Sequence, residues 1–145
     1  MRGANVANSA ALDANGIPAG YPFKPALELT PRETRSRLAG AAPGLLLVDC
    51  RTGPEWDLVR IDGSIHVPLD ELDERADEVA EAAAGREVAV ICHHGVRSLK
   101  GALLLRERGV PGAKSVAGGI DLWSMAADAG VPRYERGPAG CRIVR

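Results

Sequence analysis

Short, unbroken apolar runs alternate along the chain with longer segments in which apolar residues return every three or four positions. Leu45-Leu46-Leu47-Val48, after Pro43-Gly44, and Val88-Ala89-Val90-Ile91, after Gly85, are such runs. They predict strands buried on both faces. Briefer strands are predicted over residues 65–67 and 114–117. A helix is announced by Thr30-Pro31-Arg32-Glu33. Thr30 can cap exposed amides, Pro31 suits the first helical position and Glu33 completes a capping box. That helix is expected to end near Gly40. Others are expected over residues 54–59, 68–84 and 98–108, and from the Gly118-Gly119 turn to about Ala127. In the 68–84 segment Leu69, Leu72, Ala76, Val79, Ala80 and Ala83 share one stripe, with Gly85 as the stop. Buried strands alternating with helices predict an α/β fold, a three-layer α/β/α domain around a central parallel sheet of about five strands.

Outside this pattern, residues 1–29 are rich in Ala, Asn, Gly and Pro and read as an extended arm. Tyr21 and Phe23 are its means of docking on the domain. Residues 30–134 form the domain, and residues 135–145 read as an irregular tail. A length of 145 residues suits one domain with one site.

Composition narrows the function. Hydrophobic residues make up 46% and charged ones 26%, which excludes a wholly disordered chain. The aromatics are only Tyr21, Phe23, Trp56, Trp123 and Tyr134, too few for a stacking platform for single-stranded nucleic acid. Residues 1–85 hold 8 basic and 14 acidic side chains, residues 86–145 hold 10 and 5, so the halves carry −6 and +5. The basic half suits a small anionic ligand but lacks the Lys/Arg density of a nucleic-acid binder. No apolar run approaches the roughly 20 residues of a membrane span, and residues 1–20 have no signal-like apolar centre. No membrane contact and a cytoplasmic, reducing setting are expected. Cys50, Cys92 and Cys141 fit neither a disulfide framework nor a CxxC metal site.

The chemistry lies where the two long strands end. In an open parallel sheet, ligands bind beyond the carboxyl ends of the strands. Asp49 and Arg51 leave one strand there and Cys92 leaves the other. The junction Cys92-His93-His94-Gly95-Val96-Arg97-Ser98 runs directly into a helix. Backbone N–H groups of residues 93–97 can turn inward and, with the helix end, form an anion cup with Cys92 at its base. The amides, the helix end and Arg97 favour the thiolate. Gly95 permits tight curvature and Val96 leaves room for substrate. Arg97 is expected to orient an anionic donor by a bidentate contact, and Arg51 to pair with Asp49 or a loop carbonyl and hold the cup in shape.

At these residues the sequence resembles the rhodanese family of sulfurtransferases, in which a short loop begins with the catalytic Cys and cradles the sulfur that it carries. The resemblance spans residues 30–134. Val48-Asp49-Cys50-Arg51 is similar to the family's Asp-x-Arg strand end and Glu55-Trp56 to its acidic-aromatic pair. Gly63-Ser64-Ile65-His66-Val67-Pro68 is similar to its Gly-Ala/Ser-x-x-x-Pro stretch, and Gly118-Gly119-Ile120-Asp121-Leu122-Trp123 to its Gly-Gly-x-x-x-Trp motif. Arg60 stands where many members have His. The resemblance implies a thiosulfate sulfurtransferase that works by ping-pong. A Cys92 persulfide takes sulfane sulfur from a small anionic donor such as thiosulfate and passes it to a thiol, cyanide or a carrier protein. No cofactor beyond that covalent persulfide is implied.

Two other readings accompany this one. A sulfur-relay or partner-docking module would act with a carrier protein. Cys-dependent phosphatases and arsenate reductases share the fold, but their loop is one residue longer than the four residues between Cys92 and Arg97. No metal is expected, since His93 and His94 lack a third ligand at a supportive spacing. Cys50, next to Asp49, is read as a small packing hydrophobe, and Cys141 as an idle thiol rather than a partner for Cys92. Trp56 and Trp123 are read as core or rim packing, with Trp123 also a candidate pocket wall.

Overall fold

A computed structural model describes residues 11–144 of the chain. Five strands form one sheet in which every pairing is parallel: β1 (Glu28–Leu29), β2 (Leu45–Asp49), β3 (Ile65–His66), β4 (Glu87–Ile91) and β5 (Lys114–Val116), in the order β1-β5-β4-β2-β3. The helices are α1 (Pro31–Leu38), α2 (Gly53–Leu58), α3 (Ala76–Ala83), α4 (Val96–Glu107) and α5 (Gly119–Ala126).

β2 and β4, the two apolar runs, lie side by side at the centre, and all five residues of β2 are buried. Side-chain alternation sends their residues to two separate cores. Leu46, Val48, Cys50, Val88, Val90 and Cys92 pack on one face with Val79 and Leu105, while Leu45, Leu47, Ala89 and Ile91 pack on the other with Ile120, Trp123 and Tyr134. Trp123 is 1% exposed and fills this second core, and it does not line the concavity beside His93 and His94.

Four expectations need correction. The arm does not stay outside the sheet: its last residues form β1, which pairs with β5, while Tyr21 and Phe23 pack around Ile17 and Leu122. The arm's first ten residues lie outside the described part. The single helix expected over residues 68–84 is a 3₁₀ turn at Leu69–Glu71 followed, after a break, by α3. Asp70/Glu74, Asp73/Asp77 and Glu74/Glu78 are like charges four apart, which oppose a continuous helix, and the Leu69 amide is tied to the Cys50 carbonyl at 3.0 Å. The tail is not irregular: Tyr134–Gly137 and Gly140–Ile143 pair as an antiparallel hairpin, β6 and β7. Tyr134 is 3% exposed and supplies the apolar anchor that an Arg- and Gly-rich sequence conceals. Finally, α4 begins at Val96 rather than Ser98, because Gly95 takes a left-handed φ of 102° and turns the chain into the helix two residues early.

Among the described residues, no helix is long and apolar enough to cross a membrane.

Candidate active site

Cys92 follows β4 directly and is 1% exposed. Its Sγ accepts hydrogen bonds from the amides of Gly95 at 3.1 Å and Ser98 at 3.3 Å. The Ser98 hydroxyl lies 3.3 Å from Sγ and 2.7 Å from the Ser115 hydroxyl. The two amides belong to the cap and first turn of the twelve-residue α4, where unpaired amides and the positive end of the helix both favour negative charge. The cup is therefore shorter than a loop of residues 93–97: one amide comes from the bend and the other from inside the helix. Val96 stands at its rim, 79% exposed.

The Gly118-Gly119 turn supports the cup from behind. Ile120 and Asp121 donate their amides to the carbonyls of Cys92 (2.8 Å) and His93 (3.1 Å). A Cβ on Gly119 would collide with those same two carbonyls, so this position requires glycine for close approach as well as for its φ of 65°.

Asp49 and Arg51 are fully buried and paired, with Arg51 Nη2 2.8 Å and Nε 2.9 Å from the carboxylate. Arg51 also donates to the carbonyls of Val59 (2.5 Å) and Glu55 (3.3 Å) and to the Tyr134 hydroxyl (3.2 Å). Its role is to tie the end of β2 to α2 and β6. His66 Nε2 donates to the Arg51 carbonyl at 2.7 Å. The His66 ring stacks on Trp56 (4.8 Å, 6°), and Arg60 covers Trp56 at 5.0 Å from its ring centre.

Arg97 differs from expectation. Its two terminal nitrogens grip Glu55 at 2.7 and 3.0 Å, so the fork expected to hold a donor anion is already filled. The reason is burial: the Glu55 side chain is 2% exposed and needs a counter-charge. Glu55 further accepts from the Tyr134 hydroxyl (2.5 Å) and from the Thr52 hydroxyl (2.9 Å) and amide (3.2 Å). Burial would raise the Glu55 pKa, but the bonds from Arg97, Tyr134 and Thr52 outweigh it and hold the carboxyl well below the usual carboxylate range. Burial, then the adjacent Glu55 carboxylate, pushes the Tyr134 hydroxyl up, so it stays a donor.

His93 is 5% exposed and donates Nε2–H to the Tyr134 carbonyl at 3.1 Å. Its ring lies between those of His94 (3.9 Å) and Tyr134 (4.0 Å). Burial, then the neighbouring His94, pushes its pKa down to about 4, so the imidazole is neutral. His93, His94 and Asp121 bring ligand atoms within 4.8 Å of one another. The third ligand that the sequence spacing did not offer is therefore present in space, but Asp121 is forked to Arg133 at 2.9 and 3.1 Å and the two imidazoles stack on one another with ring centres 3.9 Å apart. These contacts describe a packed cluster. Beside it, His94, Asp121, Arg133, Glu135 and Arg136 line an open concavity of about 900 Å³ between the cup and the hairpin.

Tyr134 was missed as a site residue, and Glu55 was noted only as a motif partner. Glu55 had a local signal, since Thr52-Gly53-Pro54-Glu55 is a capping box, formed here at the start of α2. Tyr134 had none. Cys50 lies in the same core as Cys92, whereas Cys141 packs against the opposite one.

Comparison with known proteins agrees with this fold. The rhodanese-like domain family matches residues 30–126. The chain is 32% identical over 110 residues to the adenylyltransferase and sulfurtransferase MOCS3-2 of Zea mays, covering 73% of this chain and 23% of that protein. It is 33% identical over 96 residues to the probable adenylyltransferase/sulfurtransferase MoeZ of Mycobacterium tuberculosis, covering 66% and 24%. The chain thus spans about a quarter of the length of these curated relatives. Among solved structures, a rhodanese-like domain protein from Staphylococcus aureus superposes with a TM-score of 0.58 at 26% identity, covering 75% of this chain and 99% of that one. The reduced CoADR-RHD protein of Bacillus anthracis gives 0.61 at 28% identity, covering 72% and 18%. The family match covers two thirds of the chain, and the chain belongs to the rhodanese-like domain family.

Proposed function

We propose that the chain is a sulfurtransferase that carries sulfane sulfur as a persulfide on Cys92, loaded from thiosulfate or a related anionic donor. The observation that carries this reading is the convergence of the Gly95 and Ser98 amides on one buried sulfur. The Cys92 thiolate attacks the outer sulfur of the donor. A Cys–S–S bond forms, the donor's own S–S bond breaks, and sulfite leaves with the bonding pair. The same amides then stabilise the anionic persulfide through charge-assisted hydrogen bonds. A nucleophilic acceptor removes the outer sulfur and restores the thiolate. The chain's own residues and that covalent persulfide suffice for both halves of the reaction.

Two observations bear on substrate class. With the Arg97 fork on Glu55, donor binding falls to the amides and the helix end, which suits a sulfur atom better than a tetrahedral phosphate. The relatives include a putative sulfur carrier protein of Bacillus subtilis, 32% identical over 80 residues. A carrier protein is accordingly the favoured acceptor, ahead of cyanide or a free thiol, and the concavity beside the cup gives it a face.

Incubation with thiosulfate is expected to add the mass of one sulfur atom to the intact protein, and Cys92→Ser to abolish the gain. Equal labelling of that variant would overturn the assignment.

A further inference from the structure

Cys50 and Cys92 occupy one rung of the sheet. Asp49 pairs with Ile91, and the Cys50 amide donates to the Ile91 carbonyl at 3.0 Å, so the next residue on each strand is a cysteine. Alternation sends both to the same face, and each is 1% exposed within one core cluster. Neighbouring strands lie about 4.8 Å apart. A disulfide spans Cα separations of roughly 4.4–6.8 Å. The backbone of Cys50 is held from both sides, since its carbonyl also accepts from Leu69 at 3.0 Å. Cys141 packs against the opposite core, so Cys50 is the thiol set beside Cys92.

We propose a second fate for the loaded enzyme: Cys50 resolves the Cys92 persulfide, releasing hydrosulfide and leaving a Cys50–Cys92 disulfide. This rests on the persulfide reading above. The Cys50 sulfur attacks Cys92 Sγ, the new S–S bond forms between them, and the bond from Sγ to the outer sulfur breaks. The outer sulfur takes the bonding pair and the Cys50 proton and leaves as HS⁻. It is reduced by the two electrons that the two cysteine sulfurs lose, so no external oxidant enters, and an external dithiol regenerates the enzyme. The juxtaposition replaces a bimolecular encounter with an intramolecular one, so resolution needs no external thiol. Burial, then the negative charges of Cys92 and Asp49, pushes the Cys50 thiol above its ordinary range. Cys50 therefore waits as a thiol, and resolution follows only when no acceptor takes the sulfur first. The result is an acceptor-independent sulfide release that ends in a self-locked state.

The test loads wild type, Cys50→Ala, Cys50→Ser and Cys141→Ser with thiosulfate without acceptor, quenches with a thiol-blocking reagent, and follows intact mass and released sulfide. In wild type and Cys141→Ser the added sulfur is expected to give way to a species two hydrogens lighter than the reduced protein. One sulfide should be released per chain, with Cys50 and Cys92 joined in the peptide map. Both Cys50 variants should keep the added sulfur and release at least about ten-fold less sulfide. Wild type that retains its persulfide as long as Cys50→Ser, or a disulfide mapped to Cys141, overturns the proposal. If no protein gains sulfur, the persulfide reading is what fails. Diamide oxidation then decides the pairing alone: a Cys50–Cys92 linkage upholds the rung geometry and its absence refutes it.

Discussion

The Glu55–Arg97 pair sets a test of what Arg97 does. If its fork serves to bind the donor, breaking the pair changes kinetics and little else. If the pair holds the site together, as the geometry shows, each partner's loss costs stability, and the two costs differ. The Glu55 side chain is 2% exposed and that of Arg97 22%. Arg97→Met strands a buried carboxylate, for which a broken buried ion pair typically costs about 3–5 kcal/mol. Glu55→Gln leaves a guanidinium that water can partly reach, so the loss is nearer the ~1.5–3 kcal/mol of a hydrogen bond to a charged group. The double variant removes both charges and should lose less than the singles added, with a coupling of about 2 kcal/mol.

Urea unfolding of the four proteins at pH 7 supplies the cycle. Arg97→Met is expected to be the less stable single variant. Additivity within about 0.5 kcal/mol, with a raised KM for thiosulfate as the sole effect of Arg97→Met, would refute the clamp and restore Arg97 as a donor ligand. The measurement is informative because ~3 kcal/mol is a large part of the ~5–15 kcal/mol that stabilises a domain of this size.

Two more outcomes follow from the cup and its backing. Gly119→Ala forces a Cβ onto the Cys92 and His93 carbonyls in a left-handed conformation, so it should lose several kcal/mol, roughly 3 or more, and sulfur loading with it; a near wild-type melting curve would contradict the close approach. His93 has a folded pKa of about 4, below the ~6.5 of an unfolded chain. As pH falls, the unfolded state takes the proton first, so the stabilisation is full above pH ~6.5 and is lost as pH falls towards 4, by at most about 3 kcal/mol. His93→Phe keeps a ring in the stack and should remove that pH dependence from urea midpoints compared at pH 7 and 5.

Much of the architecture was legible because it rests on local chemistry. The apolar runs at Leu45 and Val88 are four residues long and each follows a glycine, which points to buried strands, and Thr30 with Pro31 marks the start of α1, where the Thr30 hydroxyl does accept from the Glu33 amide. The Asp49–Arg51 pair was legible for the same reason, being two residues apart at one strand end. What stayed hidden is non-local. Register between β2 and β4 is set by how two cores fill, and nothing near Cys50 announces that Cys92 shares its rung. Arg97 and Glu55 are 42 residues apart, so a lone arginine after an anion cup read as a ligand of the anion. The apolar stripe over residues 69–83 is local and legible, whereas the break after Leu69–Glu71 depends on the repulsion along Asp70–Glu78 and on the tie from Leu69 to the Cys50 carbonyl.

Tyr134 shows how a segment beyond the family match can still belong to the site. It lies 8 residues past residue 126, the last matched position. This one residue makes four contacts with three others: its hydroxyl donates to Glu55 and accepts from Arg51, its ring covers His93, and its backbone carbonyl accepts the His93 proton. Glu55 holds Arg97 and Arg51 holds Asp49, so the two buried ion pairs are joined through a single phenol. A phenol is suited to this because it donates to the carboxylate while accepting from the guanidinium. The hairpin β6–β7 keeps that phenol in place, and its other residues are mostly exposed. The hairpin therefore works as a latch on the cup, acting through the positions of Glu55 and His93 rather than through any contact with the sulfur.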